Sequence, residues 1–99
     1  NLGLLSGLLG EFDAARERLW WALKLHHRMG DAFHVGLDLW HLAQLSEIDG
    51  DWQLSHRLYD RAAQWFARAG HADLQQSASH HAALNSARAA VLSFDARVN

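Results

Sequence analysis

Eight histidines in a chain of ninety-nine residues is several times the usual share, so metal chemistry is the first possibility the residues raise. His34, Asp38 and His41 stand at i, i+4 and i+7. On a helix they fall along one face and could present two imidazoles and a carboxylate to a single ion. His80 and His81 could complete such a site from a later helix. Imidazole also serves as an ordinary semi-buried side chain, so this cluster supports only an alternative reading, a His-based metal- or small-ligand-sensing helical domain. With no cysteine, disulfides, thiolate metal sites and cysteine nucleophiles are all excluded. The seven serines lie in no nucleophile-elbow context, and Gly3, Gly7 and Gly10 fall in a leucine-rich run, not between a strand and a helix. The sequence therefore reads as non-enzymatic and without a cofactor.

The five tryptophans say more about contact than about catalysis. Trp52 follows a glycine turn and Trp65 falls on the packing face of its helix. Trp20 and Trp21 differ, because the residues forty positions later are Asp60 and Arg61, a pair that belongs in water. At least one of the two indoles is expected outside, as an interface or beneath a neighbouring element.

The elements that position these residues are marked by glycines. Gly10-Glu11-Phe12 and Gly50-Asp51-Trp52 stand forty residues apart, and Met29-Gly30-Asp31 and Ala69-Gly70-His71 lie midway with the same spacing. Between the marks run apolar residues at helical spacing, and proline is absent, which predicts an all-α chain with helices at about 1–9, 13–29, 31–49, 52–69 and 72–90 or beyond. Asp13 and Asp31 are the expected N-caps. The third helix buries Val35, Leu39, Leu42, Ala43, Leu45 and Ile48. The fourth buries Leu54, Leu58, Tyr59, Ala62, Ala63 and Phe66. Position 90, where a further corner would fall, is alanine, so the fifth helix is expected to run on or fray through Val91, Leu92 and Phe94.

Shifting the chain by forty residues aligns 59 positions, of which 12 are identical, among them Gly10/Gly50, Ala22/Ala62, Gly30/Gly70 and His41/His81. A period of this size means stacked helical hairpins, since one hairpin cannot bury its own apolar face. These residues resemble the tetratricopeptide repeat in its lengthened form of about forty residues. The small residue of the family's first helix matches Gly3, Ala43 and Ala83. The turn glycine matches Gly10 and Gly50, and the turn aromatic Phe12 and Trp52. The second-helix positions match Ala15 or Ser55, Leu19 or Tyr59, and Ala22 or Ala62. The resemblance covers Leu2 to about Ala90 and departs from the family in lacking the proline that ends the second helix. It implies one domain over 1–99, a short right-handed solenoid of about five helices in antiparallel hairpins. It also implies a non-catalytic protein-protein interaction module, a form frequent in bacterial regulators and signalling scaffolds.

By the same resemblance the first helix of each hairpin lines a concave face that takes a peptide or partner protein. The positions are Leu37, Trp40, Gln44, Glu47 and Ile48 on one helix and Ser77, His80, Leu84, Ala87 and Arg88 on the next. The face carries no cluster of Lys and Arg to clamp a terminal carboxylate, so the expected ligand is an amphipathic helix or an extended apolar segment.

The formal net charge of −2, spread over 9 basic and 11 acidic residues, offers no basic stripe and argues against nucleic acid. The longest apolar runs are far too short to span a bilayer, and no leader pattern opens the chain, so a cytoplasmic setting is expected. The chain begins at Asn1 and enters an apolar run at once, which reads as a piece of a longer array. Uncapped apolar ends, Leu2, Leu5 and Leu9 at one and Val91, Leu92 and Phe94 at the other, predict self-association, most simply as a two-fold dimer.

Overall fold

Three of the glycine marks end helices in the same way. Gly30, Gly50 and Gly70 adopt φ of 71°, 75° and 79°, a conformation that costs an L side chain roughly 1–2 kcal/mol. At each corner the glycine N–H donates to the carbonyl three residues back and the next N–H to the carbonyl five back. The pairs are Gly30 to His27 and Asp31 to His26, Gly50 to Glu47 and Asp51 to Ser46, and Gly70 to Ala67 and His71 to Phe66. These bonds satisfy carbonyls that a helix end otherwise leaves bare. Asp31 and Asp51 then start the following helices, each carboxylate accepting an N–H three residues on, at 3.1 Å from His34 and 3.1 Å from Leu54. One residue thus closes a helix and caps the next.

The structure, a computed structural model, describes the backbone of residues 2–98 and the side chains of residues 10–94. It consists of four helices, α1 (Leu2–Arg28), α2 (Ala32–Ile48), α3 (Trp52–Arg68) and α4 (Ala72–Val98), with no strand among the described residues. The expected count of five fails at Gly10. There the helix continues and Asp13 lies inside it, paired with Arg16 at 3.1 Å instead of capping a new helix. Glycine only permits a corner. A glycine inside a helix costs about 1 kcal/mol relative to alanine, and the residue after Gly10 is Glu11, whose extra methylene makes it a poorer cap than the aspartate that follows Gly30 and Gly50. At Ala90 there is no glycine, and α4 runs on through Val98. Expectations placed on the side chains of Leu2, Gly3, Leu5 and Leu9 lie outside the described residues.

Each helix packs on its chain neighbours, and individual side chains also reach between alternate helices. His27 of α1 meets Trp65 of α3 with ring centroids 5.6 Å apart, and Trp40 of α2 meets His81 of α4 at 5.1 Å. The core is drawn from three helices: Val35, Leu39, Leu42 and Ala43 from α2, Leu58, Tyr59, Ala62, Ala63 and Phe66 from α3, and Ala78 and Ala82 from α4. Leu19 and Leu23 of α1 are only partly buried against it.

Three residues expected in the core are outside it, and the first, Leu45, is half-buried along a groove beside α1. Ile48 is 62% exposed and Leu54 39% exposed, both in terminal turns beside the Gly50 corner, where periodicity continues but no other helix covers them. Conversely, Gly36 is buried on α2 with the Phe66 ring lying against its backbone.

Candidate interaction face

The face shared by α2 and α4 is organised by Glu47. Its carboxylate accepts from the Tyr59 hydroxyl of α3 at 2.6 Å and from Nδ2 of Asn85 of α4 at 3.1 Å. Asn85, fully buried, also donates to the Ser55 hydroxyl at 2.9 Å, which in turn donates to the Ala43 carbonyl at 3.0 Å. Arg88 completes the cluster. It donates to Oδ1 of Asn85 at 3.1 Å, stands 3.7 Å from Glu47, and lies over the Trp52 ring at 5.0 Å. Three helices are thereby joined by one chain of polar contacts in which each donor has a defined acceptor, the condition under which buried polar groups stabilise a core.

Burial, with the hydrogen bond to the Glu47 carboxylate next, pushes the Tyr59 phenol well above its usual 10.0. The folded state holds this proton more tightly than the unfolded chain does. Stability is therefore undiminished below about pH 10 and falls as the pH rises above it. Thermal melts between pH 9 and 11.5 are expected to show a decline that the Tyr59→Phe variant lacks; a decline of equal size in both proteins excludes Tyr59 as its source. At the other end of α2, the backbone N–H of His34 holds Asp31 below the usual carboxylate value.

The ten positions expected to contact a ligand do not share one surface: Ser77 is half-buried, His80 is exposed, and the others are divided between two grooves and the core packing. Leu37 and Trp40 are packed on the core, Trp40 edge-on to Tyr59 at 5.1 Å. Gln44, Glu47 and Ile48 line a groove of about 520 Å³ shared with Ala15 and Leu19 of α1. Leu84 and Arg88 line a second groove of about 410 Å³ with Ala87, Val91 and Leu92 of α4 and Trp52 of α3. His80 is exposed beside His81, and His81 stacks on Tyr59 at 5.0 Å. Glu47 lines the first groove and Arg88 the second, and the contact between them links the two.

His34, Asp38 and His41 do not converge. Asp38 is buried and meets Nδ1 of His26 on α1 at 2.5 Å, His34 meets its own cap Asp31 at 2.7 Å, and His41 lines the groove toward Leu19. Shared spacing placed the three on one stripe, but the buried Asp38 carboxylate is met by an imidazole from across the hairpin. Among the described residues no group of three His, Asp or Glu side chains is placed to hold a metal ion, His80 and His81 included. His26 stands in a basic last turn of its helix, and its spacing on that helix gives no sign of the contact with Asp38. The signal was mirror spacing about Ala32, where α2 begins: His26 and Asp38 stand six residues to either side of it, and the ion-paired Arg16 and Asp49 are centred on nearly the same point.

Trp20 and Trp21 are both outside, 42% and 65% exposed. Trp52 and Trp65 are half-buried, the latter under the Arg68 guanidinium at 4.6 Å. No described helix is long and apolar enough to cross a membrane. Comparison with protein-family models, curated proteins and solved structures finds no match.

Proposed function

We propose that the chain is a non-catalytic interaction module of stacked, tetratricopeptide-like helical hairpins that takes a polypeptide segment at its α4 end. Three features support the hairpin reading. Side chains reach between alternate helices; the corners recur every twenty residues at Gly30, Gly50 and Gly70; and the positions that match the family's small and bulky residues, Ala43, Ser55, Tyr59 and Ala62, are all buried. In a stack of this kind a helix face that no neighbour covers leaves a groove in which another helix can lie.

The observation that carries the binding reading is that groove. Leu84, Val91 and Leu92 are 42%, 59% and 53% exposed along α4, with Phe94 65% exposed beyond them. Trp52 forms the opposite wall and is held in place by Arg88. An apolar trough with a single cation at its edge suits an amphipathic helix or an extended apolar segment. Photo-crosslinking tests it. A benzophenone side chain at Val91 of the full-length protein, expressed in its host, is expected to capture a discrete polypeptide that the same probe at Gln64, exposed on α3, does not capture. Absence of a Val91 product, or the same product from both positions, removes the reading.

A further inference from the structure

The outer surface of α1 carries an apolar stripe with charges arranged around it. Trp21, Leu25 and Met29 follow at i, i+4 and i+8 and are 65%, 57% and 67% exposed. Glu17 precedes Trp21 by one turn, and Lys24 and Arg28 follow it, all three exposed. The ion pairs among the described residues involve Arg16, His26, His34 and Arg88 with Asp13, Asp49, Asp38, Asp31 and Glu47. Glu17, Lys24 and Arg28 therefore have no ionic partner there, Lys24 lying only over the Trp21 ring at 5.3 Å.

Helix geometry fixes where these groups lie. With about 100° and 1.5 Å per residue, Glu17 sits about 40° to one side of Trp21 and about 6 Å toward the N-terminus. Lys24 and Arg28 sit on that same side, at about 60° and 20°, about 4.5 and 10 Å toward the C-terminus. A two-fold axis perpendicular to α1 at Trp21 reverses direction along the helix and keeps the side. It therefore brings Glu17 of one copy between Lys24 and Arg28 of the other, twice, with the two Trp21 rings at the centre. A parallel arrangement would instead set like charges opposite one another.

We infer that this face binds a second copy of the same chain in an antiparallel, two-fold contact between α1 helices centred on Trp21. The self-complementary order of acid, tryptophan and base along one stripe selects a second copy over an unrelated partner. The inference extends the interaction-module reading to a second face, and its test separates the two. In sedimentation velocity the unaltered chain is expected to show a reversible monomer–dimer equilibrium. Trp21→Glu, Glu17→Lys and the double variant Lys24→Glu/Arg28→Glu should each weaken it at least tenfold, with circular dichroism showing unchanged helix content.

Mixing Glu17→Lys with Lys24→Glu/Arg28→Glu in equal amounts should restore the dimer, because every contact in the mixed pair is again between opposite charges. A monomeric wild-type chain at its highest soluble concentration overturns the inference, as does a mixture that stays monomeric. A dimer that survives the charge variants but is lost in Leu92→Asp also overturns it and moves the contact to the α4 groove. Benzophenone capture at Val91 is unaffected by any α1 result, so the end-groove reading stands or fails by itself.

Discussion

Replacing Gly36 by alanine lowers the unfolding free energy by about 1–3 kcal/mol, the range for overfilling a packed core. An added Cβ would stand 2.7 and 2.8 Å from two carbons of the Phe66 ring, well inside van der Waals contact. The ring has little room to yield: Phe66 is fully buried and packs against Phe33 at 6.2 Å and Trp40 at 6.4 Å between centroids. Alanine is the better helix former by about 1 kcal/mol, so the measured loss is what the clash leaves after that gain. Urea unfolding of Gly36→Ala, Phe66→Leu and the double variant forms a cycle in which the double variant loses less than the sum of the singles. A neutral or stabilising Gly36→Ala would mean that α2 and α3 are not in close contact at this point.

Asn85→Asp is the more severe change, costing about 3–5 kcal/mol near neutral pH, the range for an uncompensated buried charge. Nδ2 of Asn85 donates to the Glu47 carboxylate at 3.1 Å; an aspartate there replaces the donor with a second anion in a site without solvent access. Arg88 reaches both groups but lies at the edge, half-exposed, and offsets only part of the repulsion. The defect should shrink as pH falls into the carboxylate range, because one proton shared by the two acids restores a donor. Asn85→Ala, which leaves acceptors unpaired without adding charge, should cost less, about 1–3 kcal/mol, and show no such acid recovery. Equal stability of the aspartate variant and the parent across pH would show that Glu47 and Asn85 do not meet.

The corners at Gly30, Gly50 and Gly70 were legible because their chemistry is local, a glycine for the left-handed turn and, twice, an aspartate of the right length to cap the next helix. Gly10 looked alike in sequence. A glycine only permits a corner, and at Gly10 the helix loses little by continuing. The α2 and α3 core was legible from periodicity, whereas the exposure of Ile48 and Leu54 was not, since a repeating pattern does not say where the covering helix ends.

The interaction face was harder to read. Its register put Glu47 on α2 and Arg88 on α4, but the contacts they make with Tyr59, Asn85 and Trp52 run between helices, where spacing along one helix carries no signal. The histidines misled for the same reason, since spacing on one helix carries no information about a carboxylate's neighbour on another.

The three-residue corners also govern how the chain reaches this state. Each helix meets its neighbours after a short reversal, and the most widely separated hydrogen-bonded pair among the described residues, Asn85 with Glu47, spans 38 positions. Little loop-closure entropy stands between the unfolded chain and its first native contacts. Helical proteins built from such local contacts fold in roughly microseconds to milliseconds. The α2–α3 hairpin, joined at Gly50 and holding most of the buried side chains, is the natural nucleus onto which the two outer helices condense.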